Sequence, residues 1–450
     1  MESKYENLDD EQIKYLLIYN QVKKNDKLKE IAEYFENVTQ TVFSEKNADF
    51  TENKLKRLNE ELEYTGNHII NFFNKSLNPS AEQIIGDKKP IKIYMDGVFD
   101  IIHSGHFNAI RQSKKLGDFL IIGVNSDEDV EKSKGPTLMS TKERAALVRA
   151  CKWVDEVIED TPYTPDVKLL DEVGADFCSH GDDMPVNNLG VGCYDEIISA
   201  GRLKVFKRTE GISTTEIIGR LLSCAKSSNL QSSESPMKSG DYIKKNVDVK
   251  EDDFGRRPIM SNFLTTSWRL SEFCNNKVPK ENDKIVYIDG TFDVLHIGHI
   301  EILKKAKELG DFLYVGLHDD ATVNKHRGKN YPILNLQERT FNLLALKYVD
   351  EVIIGAPWAV TEDLIKSLKI NLVVQGTAKK TDDYTEVIED SYVVPKKMGI
   401  YQEIESPYDL SSEVLVQRLI NKREVYVQKY KNKIEKEAEY YNNKGYMGEI

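Results

Sequence analysis

The chain contains one sequence segment twice. Residues 96–106 read DGVFDIIHSGH, and residues 289–299, 193 positions later, read DGTFDVLHIGH. The similarity continues in KKLGDFLIIGVNSD and KELGDFLYVGLHDD, and then in KWVDEVI and KYVDEVI. A repeat this long indicates a duplicated domain, because solenoid units are only about 20–50 residues long. We therefore expect two related domains, and a difference between them points to chemistry that one copy has lost.

Composition limits the class of protein. The 450 residues allow two or three domains, and each copy is long enough to bury a core. The net charge of −12 argues against nucleic-acid partners, and no apolar run approaches the ~20 residues that span a bilayer. The five cysteines lack CxxC spacing, which favours reduced thiols. We expect a cytoplasmic protein with no transmembrane segment and at most peripheral membrane contact.

Short apolar strands alternate with helices along each copy. In the first copy the pattern predicts strands at 91–95 and 119–124, with helices at 141–151 and 213–225. Alternating strands and helices predict a parallel sheet that is covered on both faces. The predicted fold class is α/β, with two tandem Rossmann-like, doubly wound parallel-sheet domains and helical N- and C-terminal extensions.

Changes in composition predict the domain boundaries. A Ser-, Asn-, Lys- and Asp-rich stretch separates the copies and is interpreted as a linker, whose segment FLTTSWRLSEF is apolar enough to dock on a domain. The predicted parts are a helical N-terminal extension at 1–88, a first domain at 89–225, the linker at 226–283, a second domain at 284–423 and a helical tail at 424–450.

Two histidines stand where the first helix of the first copy begins. His103 and His106 are three residues apart and therefore lie on the same face of the helix. Gly105 between them has no side chain, so a nucleotide can come close to the backbone. A helix N-terminus at the carboxyl end of a parallel strand offers free N–H groups to a phosphate. HSGH therefore predicts a phosphate-binding site, which the repeated DGxFD turn before it supports.

The segment RTEGISTT (208–215) predicts a second phosphate contact. The guanidinium of Arg208 can hold phosphate oxygens bidentately, and Gly211 permits a tight backbone turn. The hydroxyls of Ser213, Thr214 and Thr215 can cap the following helix. A simple N-cap would explain the hydroxyl residues, but it would not explain the arginine and the glycine at this spacing.

These two segments carry a family resemblance. DGVFDIIHSGH resembles the HxGH signature of the nucleotidylyltransferases, and RTEGISTT resembles the second signature of their cytidylyltransferase branch. The tandem arrangement narrows the resemblance to the ethanolamine-phosphate cytidylyltransferases. It covers about 91–225 and 284–423 and implies transfer of CMP from CTP to phosphoethanolamine, giving CDP-ethanolamine and pyrophosphate for phosphatidylethanolamine synthesis. It also implies Mg²⁺ with CTP, held by phosphate oxygens and water and not by protein side chains.

The resemblance implies roles for individual residues. Catalytic charge stabilisation is expected from His103, His106, Lys134 and Arg208. CTP binding is expected from Asp96, Gly97, Val98, Phe99, Gly105, Thr209, Gly211, Ile212, Ser213 and Thr214. The substrate headgroup is expected to contact Tyr163, His180, Asp182, Asp183 and Tyr194. Lys134, with Lys132 as its rival, lies in a predicted loop at 131–140 that would fold over the nucleotide.

The headgroup could be ethanolamine or choline. Similar choline enzymes surround the trimethylammonium with aromatic faces, and Tyr163, Val186 and Tyr194 stand where those enzymes carry Trp, Tyr and Tyr. The cage here is thinner, and a primary ammonium with three N–H donors prefers carboxylates. This favours phosphoethanolamine, with a choline-phosphate cytidylyltransferase as the alternative.

The second copy is predicted to be degenerate. Motif alignment matches Arg208 with Glu405 and Gly211 with Tyr408, and it matches SHGDD with VQGTA. Replacing a positive with a negative charge about 4 Å from a phosphate changes their interaction energy by several kcal/mol at an effective dielectric near 20. We therefore expect the first copy to catalyse. A second nucleotide pocket stays open, because the copy keeps Thr291, Phe292, His296, His299 and Lys329, the last opposite Lys134.

Three other functions are considered. Another HxGH nucleotidylyltransferase, such as an adenylyltransferase, would be told apart by the nucleotide that it binds. A HIGH-type aminoacyl-tRNA synthetase is disfavoured, because the sequence has no KMSKS-like segment and an acidic balance. A nucleotide-sensing scaffold without turnover belongs to a different class. The sequence does not set the oligomeric state and leaves a homodimer open.

Overall fold

The computed structural model describes most of the two copies. The described residues are 89–185, 192–209, 211–228, 267–328, 331–377, 390–406, 408 and 410–428. The predicted helical extension at 1–88, most of the linker, most of the tail and the predicted pocket residue Lys329 lie outside them. Below, the first half is residues 89–228 and the second half is residues 284–428.

The first half alternates strands with helices. Its strands are β1 (Lys92–Gly97), β2 (Phe119–Asn125), β3 (Glu156–Thr161), β4 (Phe177–Gly181) and β5 (Leu203–Phe206). Its helices are α1 (Ser104–Lys114), α2 (Asp127–Lys134), α3 (Thr141–Arg149), α4 (Val167–Glu172), α5 (Asp195–Ser199) and α6 (Thr214–Ser228). The helix α7 (Ser267–Phe273) precedes the second half.

The second half repeats this order. Its strands are β6 (Ile285–Gly290), β7 (Phe312–Leu317), β8 (Glu351–Ile354), β9 (Leu372–Gly376) and β10 (Tyr401–Ile404). Its helices are α8 (Ile297–Glu308), α9 (Asp320–Arg327), α10 (Leu336–Leu344), α11 (Glu362–Ser367), α12 (Val393–Lys397) and α13 (Ser412–Asn421). Residues 423–428 are helical as well.

Each half forms one five-stranded sheet. The strand orders are β3-β2-β1-β4-β5 and β10-β9-β6-β7-β8, and the pairs within both sheets are parallel. The predicted α/β class with two Rossmann-like domains is confirmed. In such a sheet the chain reverses its direction of winding between the first and fourth strands, and ligands bind outside the carboxyl ends there. The ligand-binding crevice of the first half, called the crevice below, therefore lies at the carboxyl ends of β1 and β4.

The segment between β2 and α3 differs from the prediction. The predicted loop at 131–140 is only a loop from residue 135, because α2 continues to Lys134. Ser126 caps α2, and three acidic residues in its first turn favour a helix there. Ser140 caps α3, and it forms a capping box with Glu143.

The two halves share a hydrophobic core. Leu346 forms an antiparallel bridge with Cys151, and buried side chains of both halves belong to one cluster. The α7 helix contributes to this interface, because the buried ring of Phe273 lies 5.0 Å from the ring of Trp153 and 4.8 Å from that of Phe341. Within the described residues, no helix is both long enough and apolar enough to cross a membrane.

Candidate active site

A strained turn follows the first strand of each sheet. Phe99 in DGVFD and Ile101 directly after it have φ values of 53° and 49°. In the second half, Phe292 and Val294 have φ values of 46° and 47°. This left-handed region is unfavourable for bulky side chains and for side chains branched at Cβ, and such strain is typical of sites where the backbone conformation itself is needed. The turn brings a histidine to the start of the next helix in both halves.

His103 caps α1 with its side chain. Its Nδ1 accepts a hydrogen bond from Gly105 N at 3.1 Å, so the ring proton of the neutral imidazole belongs to Nε2. A Cβ on Gly105 would lie 2.9 Å from His103 Cε1 and 3.0 Å from Ile212 Cγ2. The glycine of HSGH is therefore required by the packing of the histidine before it.

His106 lies beside His103 one helical turn later. The two ring centroids are 4.0 Å apart, and the ring of Phe99 lies 5.7 Å from that of His106 with its edge towards it. His103 is buried, whereas His106 is half-buried. The predicted pair of imidazoles is thus assembled at the N-terminus of α1.

The two predicted signatures meet in space. Thr214 begins α6, and its Oγ1 lies 3.5 Å from His103 Nε2 and 3.4 Å from the carbonyl oxygen of Asp100. Ser213 accepts a hydrogen bond from Glu216 N at 3.2 Å and so caps α6. The N-termini of α1 and α6 therefore converge, and both present N–H groups and positive dipole ends to the same crevice.

Two further residues of RTEGISTT have structural reasons for their type. Gly211 has a φ of 80°, a conformation that side chains rarely adopt. Thr209 is buried, and its Oγ1 accepts a hydrogen bond from Asn108 Nδ2 at 2.9 Å. Asn108 also accepts one from Arg111 Nε at 2.9 Å, and Arg111 pairs with Glu272 of α7 at 2.7 Å. A chain of polar contacts thus connects α7 to the second signature.

Arg208 lies against the two predicted headgroup acids. Its Nη1 is 3.3 Å from Asp183 Oδ2, and its backbone N–H donates to Asp182 Oδ1 at 2.8 Å. These acids follow Gly181 at the end of β4, where a Cβ would lie 2.7 Å from Asp183 Oδ1. The predicted phosphate-binding arginine and the predicted headgroup carboxylates therefore form one cluster.

Asp96, predicted with the CTP-binding residues, lies among residues that were predicted to contact the headgroup. Its Oδ1 accepts a hydrogen bond from Tyr194 OH at 2.7 Å, and its Oδ2 lies 3.4 Å from Asn125 Nδ2. The ring of His180 is 4.7 Å from that of Tyr194. Burial raises the pKa of Asp96, although the hydrogen bond from Tyr194 and the nearby His180 act in the opposite direction.

Lys134 ends α2 and lies next to Tyr163, one of the predicted headgroup residues. Its Nζ lies 5.1 Å from the ring centroid of Tyr163, a cation–π distance. The rival Lys132 instead pairs with Glu128 at 2.6 Å on the exposed face of α2. The structure thus brings Lys134, and not Lys132, together with another predicted site residue.

Sequence reasoning missed two residues that shape the DGVFD turn. Arg144 is fully buried and donates hydrogen bonds to Val98 O at 2.5 Å and to Met139 O at 3.2 Å. Asp100 accepts hydrogen bonds from Leu138 N at 2.9 Å and from Met139 N at 3.0 Å. Residues 142–144 read KER and residues 337–339 read QER. The repeated Glu-Arg pair was a signal for Arg144, because a charged pair that is kept in both copies of a helix packed on the sheet has a structural role. The turn is also compact, since a Cβ on Gly97 would lie 2.9 Å from the ring of Phe99.

The predicted second pocket contains an equivalent pair of histidines. The rings of His296 and His299 stack at 3.8 Å, and the ring of Phe292 lies 5.4 Å from that of His299. Burial lowers the pKa of His296 to about 4 and that of His299 well below its ordinary value, and the nearby Arg327 acts in the same direction. The carbonyl oxygen of Thr291 accepts a hydrogen bond from Arg339 at 2.8 Å. His296 and His299 are therefore neutral at neutral pH.

The predicted pairing of Arg208 with Glu405 was wrong by one residue. The backbone N–H of Ser406 donates to Thr377 Oγ1 at 3.1 Å, as that of Arg208 donates to Asp182. Ser406 is therefore the counterpart of Arg208. The same shift removes the predicted match of Gly211 with Tyr408.

The predicted pairing of Lys134 with Lys329 was also wrong. Arg327 ends α9 as Lys134 ends α2, and a glycine follows each helix as its C-cap. Arg327 forms an ion pair with Glu413, which stands on α13 where Thr215 stands on α6. The carboxylate that the sequence suggested at Glu405 is thus found at Glu413, at the start of the helix that corresponds to the second signature, where the first half has the neutral Thr215.

A comparison with protein families matches both halves. The family described as cytidylyltransferase-like matches residues 94–220 and 287–426. These ranges begin within β1 and β6 and include α1 and its counterpart α8. The likeness thus extends to both halves of the duplicated fold.

Several similar proteins cover most of the chain. Ethanolamine-phosphate cytidylyltransferase of Dictyostelium discoideum is 45% identical over 343 residues, which are 75% of this chain and 92% of that protein. The protein of the same name from Arabidopsis thaliana is 44% identical over 349 residues, 76% of this chain and 83% of its own length. Choline-phosphate cytidylyltransferase 2 of Arabidopsis thaliana is 42% identical over 139 residues, only 30% of this chain and 45% of its own. The chain therefore belongs to the family of ethanolamine-phosphate cytidylyltransferases.

Proposed function

We propose that the chain transfers CMP from CTP to phosphoethanolamine, which gives CDP-ethanolamine and pyrophosphate for phosphatidylethanolamine synthesis in the cytoplasm. The observation that carries this proposal is the contact between the two signatures, where Thr214 Oγ1 lies 3.5 Å from His103 Nε2. The names of the relatives that align along both halves support the same substrates. The free cysteines among the described residues agree with a reducing compartment.

The reaction is a direct displacement at phosphorus. A phosphate oxygen of phosphoethanolamine forms a bond to the α-phosphorus of CTP, and the bond from that phosphorus to the oxygen bridging to the β-phosphate breaks. The attacking oxygen is already negatively charged at neutral pH, so no general base is needed. Catalysis then comes from positioning the two phosphates in line and from stabilising charge on the transferred group and on the departing pyrophosphate.

His103 and His106 supply donors on the α1 side. Because Nδ1 of His103 accepts the Gly105 N–H, its Nε2–H is directed at the space beside Thr214. A neutral imidazole with its proton on Nε2 can donate a hydrogen bond from Nε2 to a phosphate oxygen. His106, half-buried beside it, donates from the next turn of the helix. The hydroxyl of Thr214 and the N-terminus of α6 complete the cradle.

Lys134 and Arg208 supply the positive charge. Arg208 is held by Asp183 at 3.3 Å, so its guanidinium is already near the crevice before CTP arrives. Lys134 stands at the opposite side, at the end of α2 and over the ring of Tyr163. Two cations on opposite sides of the crevice would neutralise the triphosphate and the incoming phosphate together.

The headgroup is proposed to lie near Asp96. This carboxylate, the hydroxyl of Tyr194 and the ring of His180 form a polar cluster at the carboxyl ends of β1 and β4. A primary ammonium can donate three hydrogen bonds to such groups, whereas a trimethylammonium can donate none. The cluster therefore supports phosphoethanolamine over phosphocholine.

Mg²⁺ is proposed to accompany CTP. Arg208 contacts both Asp182 and Asp183, so these carboxylates are engaged without a metal. The ion would be held by the triphosphate oxygens and water, which suits its preference for keeping part of its hydration shell. It would add positive charge to the phosphates that leave.

The first half is proposed to catalyse alone. In the second half Ser406 replaces Arg208 and Thr377 replaces Asp182, so the guanidinium and this carboxylate are missing. Arg327, the counterpart of Lys134, is neutralised by Glu413. A carboxylate at the N-terminus of α13 would also repel the phosphate that its counterpart α6 is proposed to bind.

Pyrophosphate release by the purified full chain tests this function. Turnover is expected with CTP plus phosphoethanolamine and not with ATP. Phosphocholine is expected to react with a kcat/KM at least about a hundredfold lower, because it leaves buried polar groups without partners. Equal use of phosphocholine would refute the headgroup assignment. Saturable CTP binding without turnover on either substrate would favour a nucleotide-sensing scaffold instead.

A further inference from the structure

Arg418 belongs to the second half but its guanidinium contacts the first. Its Nη1 donates to Leu138 O at 3.0 Å and to Glu143 Oε2 at 2.8 Å, and its Nη2 donates to Glu143 Oε1 at 2.9 Å. A bidentate contact of this kind fixes the orientation of both groups. Leu138 lies in the loop at 135–140, which runs from the end of α2 at Lys134 to the start of α3.

The contacted loop is tied to the proposed catalytic turn. The carboxylate of Asp100 accepts hydrogen bonds from the N–H groups of Leu138 and Met139, at 2.9 Å and 3.0 Å. The carbonyl oxygen of the same Asp100 contacts the hydroxyl of Thr214. Asp100 also stands three residues before His103. One buried residue therefore connects the loop, the first signature and the second signature.

A second side chain from the end of the chain packs near the same loop. Tyr426 is fully buried. Burial raises the pKa of its phenol, and the carboxylates of Asp100 and Glu131 act in the same direction, which places them close to it. Arg418 and Tyr426 thus both bring the end of the second half against the segment that contains Lys134.

The equivalent contact also occurs with the two halves exchanged. Arg220 on α6 donates to Ile333 O at 3.3 Å and to the two carboxylate oxygens of Glu338 at 2.7 Å and 3.1 Å. Asp293 accepts hydrogen bonds from Ile333 N at 2.6 Å and from Leu334 N at 2.9 Å. The geometry corresponds to that of Arg418, but the loop that Arg220 holds belongs to the half without the phosphate-binding arginine.

We propose that Arg418 is a positioning residue for CTP, and that the second half serves the first by holding the loop at 135–140. Arg418 itself touches no substrate. It holds Leu138 in place. Through the hydrogen bonds of Asp100 it also fixes the positions of Thr214 and His103 relative to Lys134. The inference rests on the proposed function, because it assigns the held loop to the CTP site.

The test compares variants at the two ends of the contact. Arg418→Met removes the donors, and Glu143→Gln removes the charge while it keeps the capping box that Glu or Gln can form. Each is expected to raise the KM for CTP on the order of tenfold, since misplacing a binding group reduces its contribution strongly. The KM for phosphoethanolamine is expected to stay within about twofold of the wild type. A general loss of folded protein would instead lower kcat and leave both KM values unchanged.

The matched control is Glu338→Gln, which removes the same charge at the equivalent position of the second half. Glu338 is fully buried, whereas Glu143 is partly exposed, so the control disturbs the interface at least as severely. It is nevertheless expected to leave the KM for CTP unchanged. Arg418→Lys keeps one positive donor and is expected to recover part of the affinity that Arg418→Met loses.

Hydrogen–deuterium exchange gives a readout that does not depend on turnover. The amides of Leu138 and Met139 are expected to exchange faster in Arg418→Met and at the wild-type rate in Glu338→Gln. Wild-type exchange and a wild-type KM for CTP in both Arg418→Met and Glu143→Gln would overturn the proposal, and so would an equal rise in KM in Glu338→Gln. If the wild type forms no CDP-ethanolamine, the proposed function fails, while the exchange rates still decide whether Arg418 holds the loop.

Discussion

Thr214 Oγ1 lies 3.5 Å from Nε2 of His103, although 111 residues separate the two along the chain. His103 caps α1 at the end of the turn after β1, and Thr214 begins α6 after β5. The contact makes HSGH and RTEGISTT two sides of one crevice. A phosphate placed there would receive donors from both helices at once.

Thr214→Val is expected to lower kcat/KM for CTP by about ten- to a hundredfold. Valine keeps the shape of the side chain but removes a hydroxyl that is proposed to stabilise charge on the phosphate. The measurement is steady-state pyrophosphate release. Ser412→Ala is the control, because Ser412 Oγ makes the corresponding contact with Asp293 O at 2.9 Å in the second half. A similar loss in both variants would mean that the hydroxyl supports the fold and not the reaction.

Gly105→Ala is expected to reduce activity at least about a hundredfold without unfolding the chain. The new Cβ would lie 2.9 Å from the ring of His103, so the imidazole would have to leave the position that directs its Nε2–H at the crevice. In the second half, Gly298→Ala causes a similar clash, 3.0 Å from His296 Nδ1. Activity assays and thermal melts of both variants check this. Comparable activity in the two would contradict the role given to His103.

Much of this site could be predicted, because its parts are local in sequence. Alternating strands and helices predict a parallel sheet, and both signatures follow strands whose carboxyl ends meet at one edge. The role of Gly105 also follows from its two neighbours. These features depend on a few adjacent residues and on general rules for open α/β sheets.

Other features depend on distant contacts that no local pattern records. The pairing of Arg208 with Asp183 joins two strand ends, and the contact of Arg418 with Leu138 spans 280 residues. The misassigned counterparts Glu405 and Lys329 have a different cause. The loops of the two halves differ in length, so a motif alignment shifts by one or two residues where only helix ends or hydrogen bonds define the correspondence.

Tyr194→Phe is expected to raise the KM for phosphoethanolamine by about fivefold to tenfold and to leave the KM for CTP unchanged. The change removes the 2.7 Å hydrogen bond to Asp96, and one such bond contributes on the order of 1 kcal/mol. Tyr392→Phe, which removes the equivalent bond to Asp289 in the second half, is the control. Steady-state kinetics with each substrate varied in turn gives both values. A change confined to the KM for CTP would place Asp96 with the nucleotide, as the sequence first suggested.

The buried histidines of the second half predict a pH dependence of stability. Burial lowers the pKa of His296 in the folded chain from its ordinary value of 6.5 to about 4. Between these values the unfolded chain binds more protons, so the free energy of unfolding falls as the pH falls through this window. His299, whose pKa is lowered further, acts in the same sense.

The comparison of wild type with His296→Gln isolates this effect from other titrating groups. Urea unfolding at several pH values is expected to show a shallower decline for the variant between pH about 6.5 and about 4. Parallel curves would mean that the pKa of His296 is the same in the folded and the unfolded chain, and would contradict the effect of burial.

We infer that CMP transfer takes place at the HSGH and RTEGISTT segments of the first half. CDP-ethanolamine formation by His106→Ala and by His299→Ala, two equivalent substitutions in the two halves, tests this inference. His106→Ala is expected to lose turnover by a factor of about a hundred or more, as expected for a group that stabilises transferred charge, while His299→Ala stays close to wild type. Loss of turnover in His299→Ala together with wild-type turnover in His106→Ala would contradict it.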